Sequence, residues 1–321
     1  MKTKYDAWDH ILFLADDKLR GRVPLSEGSK IAREYILDIY EKCGLIPLFD
    51  HEKSYIQDIE ARGKLFGKNI GGYIKGKRDS YILVGAHYDH FSHSAGADDN
   101  AASVGQMIAA IQYFSEMEVM EGKGIIFIAF DTEEPPNFHT STMGSIYFHE
   151  NCPIDLEKID LAIILDLTGH KVPIPGLEEC LFVLGSEYSS GLVQEIYKSL
   201  KNELNGLKVV CTRNDRVGDM SDHHIFRISK KPFFFLTCGR TEHYHAETDR
   251  IENLDPEKIE KIKDYLIELI KVCSGTAIRY EFDNCNNSFL EFEAKQLTEL
   301  LGHEILPEDV EYVIQDFLRD I

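Results

Sequence analysis

The stretch Y-I-L-V-G-A-H-Y-D-H, residues 81–90, opens on a continuous apolar run of strand length and closes on two histidines and an aspartate. A run that is apolar at every position, rather than every second one, marks a strand buried on both faces, as in the middle of a parallel sheet. Three further runs repeat the design. G-I-I-F-I-A-F (124–130) leads into Asp131-Thr132-Glu133-Glu134, L-A-I-I-L (161–165) leads into Asp166, and P-F-F-F-L-T (232–237) precedes Thr241-Glu242-His243-Tyr244-His245.

Helical patterns separate these runs. Residues 26–44 place Ile31, Tyr35, Ile36 and Ile39 on one stripe and stop at Gly44; residues 100–117 do the same with Val104, Met107, Ile108, Ile111 and Phe114. Two more helices are expected over 189–205 and over 256–273, the latter opened by Asp255-Pro256. Strands alternating with helices predict an α/β fold: a three-layer sandwich with a central, mostly parallel mixed sheet flanked by helices. After Ser274-Gly275 the texture changes to two acidic amphipathic helices without a strand signal. The expected division is a catalytic domain over 1–275 and a small helical C-terminal appendage over 276–321. Within the appendage, F-D-N-C-N-N-S-F-L-E-F-E (282–293) has Ser288 where a calcium loop needs glycine and Ala294 where it needs glutamate, so calcium is not expected there.

The 321 residues are 43% hydrophobic and 28% charged, as in an ordinary globular protein, but 35 Lys and Arg face 55 Asp and Glu, a net charge of −20. Such a surface repels phosphate backbones and anionic lipid, which argues against nucleic-acid and membrane partners. Seven cysteines, Cys43, Cys152, Cys180, Cys211, Cys238, Cys273 and Cys285, are spread without any C-x-x-C and read as reduced thiols. No run reaches the roughly 18 apolar residues of a membrane span, and the first ten residues lack an apolar signal core. A cytoplasmic protein is expected.

Ligands of open α/β sheets bind beyond the carboxyl ends of the strands. Here every core run ends in histidine or carboxylate, and Gly96-Ala97-Asp98-Asp99-Asn100 adds a fifth contribution just before a helix. Imidazole and carboxylate without cysteine suit zinc or a related divalent ion, and one carboxylate can bridge a pair. A lone histidine after a strand is usually a capping or surface residue; five converging elements are not. His90, His93 and His139 lack such support and read as loop residues, and His245 is preferred to His243 because Asp249 follows it four positions later. Other chemistries lack their motifs: there is no H-E-x-x-H, no G-x-S-x-G, no P-loop and no G-x-G-x-x-G.

The order H-x-D, G-A-D-D-N-A, E-E, L-D, S-D-H, Y-H-x-x-x-D resembles the M28 family of zinc aminopeptidases, relatives of the glutaminyl cyclases. Leu19-Arg20-Gly21-Arg22 and Asn69-Ile70-Gly71-Gly72 extend the likeness over residues 10–272. The resemblance implies two zinc ions, with His87 and Asp166 on one, Glu134 and His245 on the other, and Asp99 bridging. It implies Glu133 as general base, Tyr244 as a donor to the oxyanion, and Asp89, Asp222 and His223 as supporting residues. Pro135-Pro136 stands where the family commonly has glycine after E-E, and Gly218 stands where some members carry an aromatic residue. The implied substrate is a peptide or an aminoacyl small molecule, with any subunit contact expected through the C-terminal helices. The alternatives are a single-zinc glutaminyl-cyclase-like transferase and a catalytically silent binding module of the same fold.

Overall fold

The computed structural model describes residues 5–117, 120–200, 205–280 and 287–313. In chain order the strands are β1 (Ile46–Pro47), β2 (Ile56–Ala61), β3 (Lys64–Ile74), β4 (Gly76–His87), β5 (Met120–Phe130), β6 (Ile159–Leu165), β7 (Cys180–Leu184), β8 (Lys208–Cys211) and β9 (Phe233–Thr237). The helices are α1 (Ala7–Leu14), α2 (Glu27–Lys42), α3 (Ser103–Ser115), α4 (Gly144–Glu150), α5 (Ser190–Leu200), α6 (His223–Ile228), α7 (Pro256–Gly275) and α8 (Asn287–Leu301). Among the described residues these strands form one mixed sheet in the order β1-β3-β5-β4-β6-β9-β7-β8, with β2 also on β3.

The four continuous apolar runs are the four central strands, β5-β4-β6-β9, all mutually parallel. Residues 82–86, 125–130, 161–165 and 233–236 are buried, because helices cover both faces of the sheet. α1, α3 and α7 pack together as one layer, while α4 and α6 pack on each other and on β3, β6 and β9. α7 starts where the sequence predicts it: the Asp255 carboxylate accepts from Lys258 N–H at 2.8 Å, and Pro256 needs no donor in the first turn. The outer strands invert direction, since β3 runs antiparallel to β5 and β7 antiparallel to β9.

β4 carries β5 on one side and β6 on the other, so successive connections leave it in opposite directions and open a crevice at the carboxyl ends. Register does the fine placement. His87 pairs with Phe130, and Gly85 pairs with Ile164, which brings His87 alongside Asp166. The helix expected from residue 100 begins at Ser103, because residues 97–102 bend away from helical geometry at Asp99 (φ −106°, ψ 87°) and Asn100 (φ −134°, ψ 32°). α5 is described as far as Leu200, and residues 201–204 of the expected helix lie outside the described residues. Of the two terminal helices, α8 is seen and residues 310–313 begin the second, the rest of which lies outside the described residues.

Candidate metal centre

At the mouth of the crevice two groups of buried ligand atoms share one residue: His87, Asp99 and Asp166 form one, and His90, Asp99 and Glu134 the other. Nε2 of His87 lies 3.3 Å from Asp99 Oδ1 and 3.5 Å from Asp166 Oδ1. On the other side, Nε2 of His245 lies 3.3 Å from Asp99 Oδ2 and 3.1 Å from Glu134 Oε2. The two oxygens of Asp99 therefore face different donor sets. Glu133 holds Oε2 at 3.9 Å from His87 Nε2, on the first side.

His90, expected to be a plain loop residue, is 1% exposed and sits inside the second group, with Nδ1 3.0 Å from Glu134 Oε1. The sequence signal was its place in H-Y-D-H, directly behind the strand; its convergence on Glu134 is a matter of three dimensions. His243 turns to Thr248 Oγ1 at 3.0 Å, while exposed His93 approaches the His245 carbonyl at 3.3 Å. His139 stacks between Phe138 and His224.

Two buried aspartates clasp the loops that carry the cluster. Asp89 accepts from the main-chain N–H of Glu133 at 3.0 Å and of Glu134 at 3.1 Å; Asp249 accepts from Asp98 N–H at 2.8 Å and Asp99 N–H at 3.1 Å. The Nδ1 of His87 meets the main-chain carbonyl of Asp89 at 3.2 Å, with its carboxylate at 3.5 Å, which leaves Nε2 to the cluster. Behind them Arg22, 1% exposed, donates to the carbonyls of Tyr88, Leu14, Ala95, Gly96 and Asp99. Gly96 (φ +60°) is required here, since a Cβ would stand 2.6 Å from the His90 ring and 2.5 Å from the Asp99 carbonyl. Thr132, Leu167 and His245 also take positive φ, at 59°, 55° and 56°, each beside or within the cluster. The Pro135–Pro136 peptide is cis. Asp222 and His223 are fully buried nearby; His223 bonds the Gly218 carbonyl at 3.1 Å and stacks on Phe235.

The electrostatics call for a cation. Burial, reinforced by neighbouring carboxylates, pushes Glu133 and Glu134 well above the usual range, and burial also raises Asp166. Asp99 goes the other way: burial would raise it, but the imidazoles of His245 and His87 facing its two oxygens hold it well below. His87 Nε2 and Asp166 Oδ1 are buried without a hydrogen-bond partner, although each is an acceptor aimed at the other. Imidazole and carboxylate donors with orphaned atoms facing each other fit a divalent ion of the zinc type.

A cavity of about 310 Å³ opens beside the cluster, lined by Asp166, Leu167, Met220, Phe235, Arg240 and Tyr244 among others. Tyr244 stacks on His245 at 3.8 Å, and burial raises its phenol so that it remains a donor.

An α/β sheet whose parallel strands end in this set of ligands defines a metal-dependent hydrolase fold and site. The chain belongs to peptidase family M28, whose model matches residues 69–270. It is 24% identical over 267 residues to the uncharacterized protein YfbL of Escherichia coli, covering 74% of this chain and 78% of that one. In fold it resembles a Zn-dependent exopeptidase from Parabacteroides distasonis (TM-score 0.67, 18% identity, 84% of this chain and 99% of that chain). It also resembles a glutaminyl cyclase from Porphyromonas gingivalis (TM-score 0.67, 17% identity, 83% and 96%).

Proposed function

We propose that the protein is a di-zinc aminopeptidase that releases N-terminal residues from peptides. The observation that carries this reading is Asp99, whose Oδ1 faces His87 and whose Oδ2 faces His245 at the same 3.3 Å. Such a carboxylate is built to bridge. His87 and Asp166 would hold one ion, Glu134 and His245 the other, with His90 Nδ1 on the Glu134 oxygen that His245 does not face. Divalent ions bound by these residues would supply Lewis acidity. Glu133, close to His87 yet outside both ligand groups, would take a proton from the attacking water and return it to the leaving amine. The Tyr244 hydroxyl donates to the carbonyl oxygen as it gains charge. The free thiols of all six described cysteines support work in a reducing compartment; Cys285 lies outside the described residues. Among the described residues no helix is long and apolar enough to cross a membrane.

The test combines metal analysis with kinetics on the zinc-loaded chain. Two ions per chain are expected, with cleavage of unblocked peptides, none of amine-blocked ones, and no pyroglutamate from N-terminal glutamine. Glu133→Gln should lower turnover by about 10²–10⁴ while keeping its metal, whereas Asp99→Ala should lose metal. One ion at saturating zinc together with cyclisation of a glutaminyl peptide would replace this reading by the transferase.

A further inference from the structure

Within the cavity beside Asp166, Arg240 has no carboxylate within ion-pair distance among the described residues, in a chain with 20 more acids than bases. Its guanidinium carbon lies 4.3 Å over the Tyr244 ring, with Nη2 3.4 Å from the Tyr244 hydroxyl and 4.0 Å from Met220 sulfur. Those contacts fix its direction and leave its charge uncancelled. The neighbouring arginines differ: Arg216 meets Glu293 at 3.4 Å, Arg227 pairs with Asp219, and Arg213 holds Asp215, the other carboxylate of the cavity wall besides Asp166. Leu167, Val217 and Phe235 supply apolar wall suited to methylenes.

We infer that Arg240 makes this cavity a carboxylate-accepting subsite, so that the protein selects substrates opening with glutamate or aspartate. The inference rests on the aminopeptidase reading. A planar guanidinium with free donors recognises a carboxylate through paired, charge-assisted hydrogen bonds, and it discriminates against the amide of the same shape, which lacks the charge. The same chemistry could come from the C-terminal carboxylate of a dipeptide, which would place the group across the scissile bond instead.

Binding and turnover separate the possibilities. Calorimetry on the zinc-loaded chain should show L-glutamate binding about 10- to 100-fold more tightly than L-glutamine, and Glu-Ala-amide should exceed Gln-Ala-amide in kcat/KM by a similar ratio. Arg240→Met should bring both ratios towards one, and Arg240→Glu should turn preference towards Lys-Ala-amide. A preference for Leu-Ala over Leu-Ala-amide that disappears in Arg240→Met would support the subsite and assign the carboxylate to the leaving side. Equal binding of glutamate and glutamine by the wild type together with no preference for Leu-Ala over Leu-Ala-amide, or unchanged ratios in Arg240→Met, overturns the inference. Selective glutamate binding without release of any N-terminal residue would instead defeat the peptidase reading and leave the subsite standing.

Discussion

Arg22 shows how a single side chain, far from any candidate ligand in sequence, sets the geometry of the cluster. Its donors reach main-chain carbonyls on both sides of the loop between His87 and Asp99, and the guanidinium plane fits them as a fork. Lysine at this position has one charged centre and cannot satisfy oxygens spread over that plane. Each buried carbonyl left without a donor costs about 1–3 kcal/mol. Arg22→Lys is therefore expected to lower thermal stability and also weaken zinc binding, because the loop carrying Asp99 loses its anchor. Titration with a competing chelator, alongside a melting curve, checks both; an unchanged zinc affinity would reduce Arg22 to a purely structural role. Nothing in L-R-G-R announces these partners, since main-chain acceptors have no sequence signature. Asp249 is hidden for the same reason: the Y-H-x-x-x-D spacing locates it, but only the fold brings the amides of Asp98 and Asp99 to its carboxylate.

Among the elements, the turn after β7 carries a titration of a residue outside both ligand groups. Glu187 is 5% exposed; one oxygen accepts from Asn214 N–H at 2.8 Å and the other has no partner. Burial, with added repulsion from Asp215 and Glu293 and opposed by the Asn214 amide, pushes its carboxyl up to about 7. The folded state then holds a proton that the unfolded chain releases near 4.5, so this group's contribution to stability falls as pH rises from there through about 7. Glu187→Gln removes that slope. Relative to wild type the variant should gain roughly 1–3 kcal/mol between about pH 5 and pH 8 in urea unfolding; parallel curves for the two proteins would refute the assignment. Elements of this kind mark the limit of what the sequence shows. The four central strands are legible because burial on both faces makes them apolar throughout, and the chemistry follows each run directly. β3 is interrupted by Gly67, Gly71 and Gly72, β7 and β8 are five and four residues long, and α1, α4 and α6 are only eight, seven and six residues long, so none supplies enough period to read.

For the whole molecule, the question is how far the residues beyond 275 belong to the catalytic body. α8 lies on β8, the edge strand, which β9 and β7 separate from β6 and its Asp166. The Gln296 amide pairs with both the N–H and the carbonyl of Cys211, as a neighbouring strand would, and Phe289, Ala294 and Leu297 are buried against the main core. The helix thus seals an exposed sheet edge and contributes nothing to the ligand groups. A chain ended after Ile278 keeps the Thr276 carbonyl that buried Lys123 uses, but exposes β8 and frees Arg216 from Glu293. We expect that chain to fold with a lower melting temperature and a greater tendency to associate, while still binding zinc, since every candidate ligand lies on elements before α7. Circular dichroism melts and zinc titration decide the matter. Loss of the cooperative transition on truncation would mean that α8 completes the core, and the boundary at 275 would have to be given up.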